Sequence, residues 1–158
     1  MASNQSDSEY MRRSLLLHQK SHDPHRQVGA VIVDVEGTVL SEGTNAPPEA
    51  LGFTRSESLA AIDEDPAWKY FVLEHAERNA IHTAHAKNKV LSGATIYCTL
   101  FPCADCARAI VACGISRVVV PESARESERD EKWHVHYRFA HEIFKRGRVS
   151  IEVLKRTS

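Results

Sequence analysis

The sequence contains no hydrophobic stretch long enough to cross a membrane. Its longest apolar run, residues 28–33, ends at Asp34, whereas a membrane-spanning helix needs about 20 apolar residues. The first residues, MASNQSD, are polar and lack the apolar segment of a signal peptide. We therefore expect a cytoplasmic protein, whose four cysteines are reduced and act as metal ligands or packing groups rather than as disulfides.

An excess of charge of one sign is also missing. Lys and Arg together number 20 against 21 Asp and Glu, giving a formal net charge of −1, so the composition offers no electrostatic case for general binding of nucleic acids or membranes. With 158 residues, 42% of them hydrophobic, the chain suits a single domain over residues 1–158. Short chains of this class often bury surface by self-association, so we expect a homo-oligomer.

The pattern of apolar residues predicts alternating strands and helices. Residues 27–35 are β-branched and almost entirely apolar, which predicts a strand buried on both faces. Residues 43–69 contain three prolines and no sustained period, which predicts a long functional connection that packs against the domain. Further helices are predicted over residues 8–20, 74–88, 103–113 and 131–146, and further strands over 38–42, 95–100, 116–120 and 149–154.

This order of elements predicts an α/β fold. Later strands are reached through helical crossovers, which place helices on the faces of the sheet. We therefore expect a three-layer α/β/α sandwich around a five-stranded mixed sheet.

Two cysteines separated by two residues offer soft ligands to one metal ion. Cys103 and Cys106 lie one helical turn apart, and His75 upstream can supply a third ligand. Three protein ligands leave one position of a zinc ion open, as in catalytic rather than structural sites. Both half-motifs fall where helices are predicted to begin, and the helix dipole there favours thiolates. Glu77 is the candidate group for moving protons beside the metal.

The paired motifs also carry a family resemblance. Residues 75–77 read His-Ala-Glu and residues 102–106 read Pro-Cys-Ala-Asp-Cys, which is the signature of zinc-dependent nucleobase deaminases. Residues 27–30 (QVGA), 43–45 (GTN) and 114–115 (GI) extend the likeness over nearly the whole chain. The sequence resembles the cytidine/deoxycytidylate deaminase superfamily, and within it the dCMP deaminases.

The resemblance implies a fold, a cofactor and a reaction. The fold would be cytidine deaminase-like, with a zinc ion held by His75, Cys103 and Cys106 and with Glu77 as the catalytic proton shuttle. The reaction would be hydrolytic deamination of a cytosine-type ring, dCMP giving dUMP and ammonia. The expected partner is therefore a small nucleotide or nucleobase, rather than a nucleic acid or a membrane.

The substrate-binding candidates are Asn45, Arg26 and Lys69. Asn45 matches the asparagine that contacts the sugar or base in this superfamily, although an asparagine that precedes residues 46–48 (APP) also suits a turn with no function. Arg26 and Lys69 are candidates for contacting a substrate phosphate, because each adjoins a motif.

Three alternatives stay open at this stage. A tRNA adenosine deaminase shares both metal motifs, and a basic run near the C-terminus favours it. Deaminases of a free base or nucleoside, such as cytosine, guanine or cytidine, use the same metal chemistry. A purely structural zinc site is the third, although such sites normally have four protein ligands. The basic run consists of Lys145, Arg146, Arg148, Lys155 and Arg156.

Overall fold

A five-stranded sheet lies at the centre of the computed structural model, which describes residues 4–125 and 131–155. Its strands are β1 (Gly29–Val33), β2 (Val39–Thr44), β3 (Thr95–Cys98), β4 (Arg117–Pro121) and β5 (Ser150–Leu154). Their order across the sheet is β2-β1-β3-β4-β5. β1 is antiparallel to both of its neighbours, whereas β3, β4 and β5 are mutually parallel. The predicted mixed sheet is confirmed.

Helices cover both faces of this sheet. One face is covered by the first helix, which contacts β1, β3 and β4, and the other face by the fourth, fifth and sixth. The three-layer α/β/α architecture is therefore confirmed. The helices are α1 (Asn4–Leu16), α2 (Arg55–Glu64), α3 (Trp68–Val72), α4 (Ala76–Ala86), α5 (Ala104–Ala112) and α6 (Glu131–Arg146). In the described part of the chain, no helix has the length and apolarity needed to cross a membrane.

Strand β1 is the centre of the core. Its side chains alternate between the two faces, so Ala30 and Ile32 pack towards α4 whereas Val31 and Val33 pack towards α1. All five residues of the strand are buried, as the almost entirely apolar sequence predicts. The strand is shorter than the predicted span of residues 27–35, because the amide of Val28 instead donates to the Asn45 side chain at 3.0 Å.

The connection over residues 43–69 is more regular than the sequence indicates. The helices predicted from the sequence leave this segment out, which was wrong, because it contains α2 and the beginning of α3. A capping box starts α2: the Thr54 hydroxyl accepts from the Glu57 amide at 3.1 Å, and the Glu57 carboxylate accepts from the Thr54 amide at 2.8 Å. Only Ser58 and Ile62 of α2 are buried, so the helix lacks the broad apolar face that reveals a helix in a sequence.

Candidate metal centre

The predicted ligands converge at the ends of two helices. His75 directly precedes α4, and Cys103 directly precedes α5, with Cys106 one turn further on. The Nδ1 atom of His75 lies 3.5 Å from Cys103 Sγ and 3.5 Å from Cys106 Sγ. All three ligand atoms lie within 4.8 Å of one another, the one such cluster of three among the described residues. The site is at the carboxyl end of β3, where open α/β sheets bind ligands.

The spacing of these atoms fits zinc. In a tetrahedral site, bonds of about 2.3 Å to sulfur and about 2.05 Å to nitrogen place the two atoms about 3.6 Å apart. The observed nitrogen–sulfur distances of 3.5 Å match this value. Two thiolates and one imidazole are also a donor set that suits zinc better than magnesium or calcium. The geometry and the chemistry of the residues therefore agree.

A glycine lets α4 approach the sheet closely enough to present His75. A Cβ atom at Gly43 would lie only 2.2 Å from the carbonyl oxygen of Ala76. The side chain of Asn79 then fastens the helix to the end of β2, because its Nδ2 donates to the carbonyls of Thr44 at 2.8 Å and Ala46 at 3.0 Å. The start of α4 is thus held in place by its close approach to the backbone at Gly43 and by the two hydrogen bonds of Asn79.

A carboxylate fixes the backbone of His75. Glu74 Oε1 accepts from the His75 amide at 2.9 Å and from Arg78 Nε at 2.7 Å. Burial opposes ionisation of this carboxyl group, but the hydrogen bonds from Arg78 and His75 outweigh it and lower the pKa of Glu74. Glu74 therefore remains a carboxylate that orients the metal-ligating residue beside it.

The beginning of α5 is held in a similar way. Cys103 Sγ accepts from the Cys106 amide at 3.4 Å, as expected of a sulfur at a helix N-terminus. The Ala104 amide donates to His136 Nδ1 of α6 at 3.1 Å, so a residue far along the chain caps the helix that carries both thiols. Sequence reasoning missed this role, because it depends on how α6 packs.

The protein groups around the cluster stabilise negative charge on sulfur. The hydrogen bond with Cys106 lowers the pKa of Cys103 to about 4 and raises the pKa of Cys106. The hydrogen bond with Cys103 raises the pKa of His75. These groups alone therefore favour one thiolate, and a divalent cation would favour the second.

Glu77 lies beside the cluster, where the motif predicts it. Its side chain is buried, and Oε2 lies 3.3 Å from Cys106 Sγ. Burial raises the pKa of Glu77, which brings the carboxyl group closer to the range in which it can both accept and donate a proton. Residues two apart diverge inside a helix, and the extended backbone of His75 before the first turn is what lets both side chains face one site.

A cavity of about 630 Å³ opens over this cluster. Its volume lies within the range of small-molecule sites in proteins. Asn45, Arg26 and Lys69, the three predicted substrate-binding residues, all line it together with His75 and Glu77. The structure therefore brings together every site residue that the sequence indicated.

Asn45 is engaged by the protein around it. Its Oδ1 accepts from Ser21 Oγ at 2.5 Å and from the Val28 amide at 3.0 Å, and its Nδ2 donates to the Arg26 carbonyl. An amide nitrogen has two donors, so one hydrogen remains for another acceptor. Asn45 thus links its own segment to residues 21–28, which form this wall of the cavity.

The two predicted phosphate ligands differ in their surroundings. Lys69 Nζ lies 3.3 Å from both carboxylate oxygens of Asp23 and forms an ion pair with them. The Arg26 guanidinium carbon instead lies 4.1 Å from the centroid of the Trp133 ring, and Nη2 donates to the Tyr137 hydroxyl at 3.3 Å. Asp23, Trp133 and Tyr137 are site residues that sequence reasoning missed.

Comparison with known proteins also indicates a zinc-binding region. A family model described as the cytidine and deoxycytidylate deaminase zinc-binding region matches residues 4–122. The chain is 39% identical over 118 residues to a probable deoxycytidylate deaminase of Drosophila melanogaster, covering 72% of this chain and 57% of that protein. It is 33% identical over 110 residues to a deoxycytidylate deaminase of Homo sapiens, covering 70% of this chain and 61% of that one.

A solved structure shares the fold over almost its entire length. The dCMP deaminase of cyanophage S-TIM5 superimposes with a TM-score of 0.69 and 23% sequence identity, covering 96% of this chain and 99% of that one. The structure of that phage protein is also known in complex with dCMP and dUMP. The matched part of this chain spans about three fifths of the length of the two curated relatives.

Proposed function

The chain belongs to the cytidine and deoxycytidylate deaminase family, and from this premise we propose that it is a zinc-dependent aminohydrolase that converts dCMP to dUMP and ammonia. The observation that carries the proposal is the cluster of His75, Cys103 and Cys106 beside the buried carboxyl group of Glu77. The choice of dCMP is supported by the relatives, which are named deoxycytidylate deaminases.

Glu77 is the residue placed to move protons in this reaction. A zinc ion held by His75, Cys103 and Cys106 would supply the Lewis acidity that makes water a nucleophile near neutral pH. Glu77 accepts one proton of the water at a carboxylate oxygen and donates it to ring nitrogen N3. It then carries the second proton to the amino group at C4. A C4–O bond forms, the C4–N bond breaks, and the amino group leaves as ammonia.

The substrate is held by the walls of the cavity in this proposal. Asn45 donates its remaining amide hydrogen to the sugar or the base, and its position is fixed by its hydrogen bonds to Ser21 and Val28. Arg26 and Lys69 lie on the same cavity. Arg26 supplies the positive charge that a 5′-phosphate needs, whereas the ammonium group of Lys69 is already paired with Asp23. The amide of Asn45 and the guanidinium of Arg26 thus give the site the chemistry to bind a nucleoside monophosphate.

A substrate panel tests the proposal. Zinc-loaded protein is incubated with dCMP, deoxycytidine, cytosine and guanine, and the release of ammonia is followed in a coupled assay. We expect the highest kcat/KM for dCMP. Ammonia from guanine alone would replace the proposal with a free-base deaminase, and ammonia from none of the cytosine compounds would refute it.

A tRNA substrate has weaker support. Of the basic run near the C-terminus, Lys145, Arg146, Arg148 and Lys155 are exposed and none of them lines the cavity, and Arg156 lies outside the described residues. Basic residues that bind tRNA would need to lead towards the site. We expect no conversion of adenosine in tRNA at low salt, and its conversion would reverse the order of the two proposals.

We also propose that residues 1–158 form one deaminase domain that acts as a homo-oligomer in the cytoplasm. A single sheet with a hydrophobic cluster on each face supports the domain. All four cysteines are free, and the cytosol keeps thiols reduced, which supports the location. Phe71 and Tyr70 are 86% and 74% exposed, which supports contact with another subunit. Light scattering after size-exclusion chromatography measures the mass, and a monomer would contradict the oligomer.

A further inference from the structure

Arg26 and Lys69 are the lysine and arginine residues that line the cavity, and only one of them lacks a carboxylate partner among the described residues. Lys69 is neutralised by Asp23, with both side chains largely buried. Of the other carboxylates on the cavity, Glu74 and Asp105 lie beside Arg78 or Arg108, and Glu77 lies beside Cys106 at the metal ligands. Arg26 forms no ion pair within the described part of the chain. The positive charge available to an anion in this cavity is therefore that of Arg26.

The guanidinium of Arg26 is held by two side chains of α6. Its guanidinium carbon lies over the indole ring of Trp133, 4.1 Å from the ring centroid. One Nη2 hydrogen is directed to the Tyr137 hydroxyl at 3.3 Å. The hydrogen bond to Tyr137 uses one of the five donors of the guanidinium group. Donors at its edge therefore remain for an anion.

The two supporting side chains belong to one rigid element. Trp133 and Tyr137 are four residues apart in α6, so they project from the same side of the helix. Their ring centroids lie 6.4 Å apart with 29° between the ring planes, and the Tyr137 ring also packs edge-on against Phe101 at 5.6 Å. Tyr137 is thus locked between two aromatic neighbours, and Arg26 is supported by a packed wall rather than by a mobile loop.

We infer that Trp133 and Tyr137 are positioning residues that hold Arg26 as the recognition group for the 5′-phosphate, and so make the enzyme prefer nucleoside monophosphates over nucleosides. This inference rests on the proposed function and deepens it. A fixed guanidinium loses little conformational freedom on binding and can meet a phosphate with two parallel hydrogen bonds. Lys69 contributes less, because an approaching phosphate must compete with Asp23 for its ammonium group.

The test compares dCMP with deoxycytidine, because the two differ only in the phosphate. Arg26→Gln is expected to lower the ratio of kcat/KM for dCMP to that for deoxycytidine by about 10- to 100-fold, the range for a lost charged hydrogen bond. Trp133→Ala and Tyr137→Phe are expected to lower it by about 3- to 10-fold each. Trp133→Phe should restore part of the ratio, since it keeps an aromatic face.

A double variant separates positioning from packing. If Tyr137 acts through Arg26, Tyr137→Phe will have no further effect on the ratio in an Arg26→Gln background. Tyr10→Phe is the matched control, since it removes the hydroxyl that donates to the Gly37 carbonyl at 2.6 Å away from this cavity, and it should leave the ratio unchanged. Equal losses for both substrates in the Trp133 and Tyr137 variants would overturn the inference, and so would an unchanged ratio in Arg26→Gln.

Direct binding provides a readout that does not depend on turnover. Calorimetry with dUMP and deoxyuridine should show tighter binding of dUMP to the parent protein and a smaller difference in Tyr137→Phe. Equal binding of the two compounds by the parent protein would overturn the inference, even if dCMP is deaminated. Absence of ammonia from every cytosine compound, with dUMP still preferred, would remove the proposed function and leave the phosphate subsite in place.

Discussion

Gly43→Ala tests whether close contact between α4 and β2 positions the metal ligands. A Cβ atom at this position would lie 2.2 Å from the Ala76 carbonyl oxygen and 2.6 Å from the Ala80 amide nitrogen. Both are backbone atoms and cannot rotate away. The start of α4 would have to move by roughly 1 Å to reach an ordinary contact distance of about 3.4 Å.

This movement has a cost in stability and a cost at the site. Overpacking of a core lowers the free energy of unfolding by about 1–3 kcal/mol, which corresponds to a fall in Tm of about 3–10 °C for a chain of this size. His75 directly precedes α4, so its Nδ1 atom would leave the position 3.5 Å from both sulfurs. We expect zinc affinity to fall by about 10- to 100-fold, as when the support of a metal ligand is removed.

Competition with a chromogenic chelator measures zinc affinity, and differential scanning calorimetry measures Tm. Gly52→Ala is the matched control: Gly52 has a φ of 69°, and a Cβ atom added there would meet no other atom within 4 Å, so the same substitution costs about 1 kcal/mol through backbone strain alone. Its zinc affinity should not change. Unchanged zinc affinity in Gly43→Ala, or an equal loss in both variants, would refute the argument.

Three further predictions concern the carboxyl group of Glu77, the ion pair between Asp7 of α1 and Arg117, and the capping residue Thr54 of α2. Glu77→Gln should keep zinc and fold but slow the release of ammonia by at least about 100-fold, since it removes the proton carrier; activity within a few-fold of the parent would contradict the assigned role. Asp7 is buried against Arg117 at 2.6 Å, and although burial opposes ionisation, the hydrogen bonds from Arg117 lower its pKa. The carboxyl group of Asp7 therefore binds a proton more readily in the unfolded chain than in the folded one. Its ionised form stabilises the fold at pH values above its ordinary pKa of 3.8. This stabilisation is lost as the pH falls through the lowered pKa of the folded state. Asp7→Asn should cost about 3 kcal/mol in urea unfolding at pH 7 and reduce the loss of stability with acid, and an equal acid dependence in parent and variant would count against this pair. Thr54→Ala should cost about 1 kcal/mol and leave zinc affinity unchanged, and a large loss of zinc would show that α2 supports the metal site.

The metal ligands and the general order of the fold could be predicted from the sequence because their signals are local. Cys103 and Cys106 are one helical turn apart, and each half-motif lies where an apolar pattern begins. The buried β1 strand is equally local, since its side chains alternate between two apolar faces. The fold class followed from these features, whereas the placement of His75 beside the thiols was implied by the family resemblance.

Other parts of the site depend on contacts between distant residues. Trp133 and Tyr137 stand over 100 residues from Arg26 in the sequence, and nothing in the local pattern of α6 indicates that they hold it. The pairing of Lys69 with Asp23 is likewise tertiary. Helix α2 was missed for a different reason: its apolar face is narrow, although the Thr54 and Glu57 capping box was visible in the sequence.

The division of the site between helices has a consequence for protein engineering. The metal ligands are contributed by the starts of α4 and α5, whereas the residues that surround Arg26 come from α6. Under the proposed function, replacing Trp133 and Tyr137 by a library of side chains is therefore a route to variants with a different preference at the phosphate position while the metal ligands are left untouched. His136 is the position on α6 to keep constant in such a library. It accepts a hydrogen bond from the Ala104 amide and so connects α6 to the start of α5, where the thiols lie.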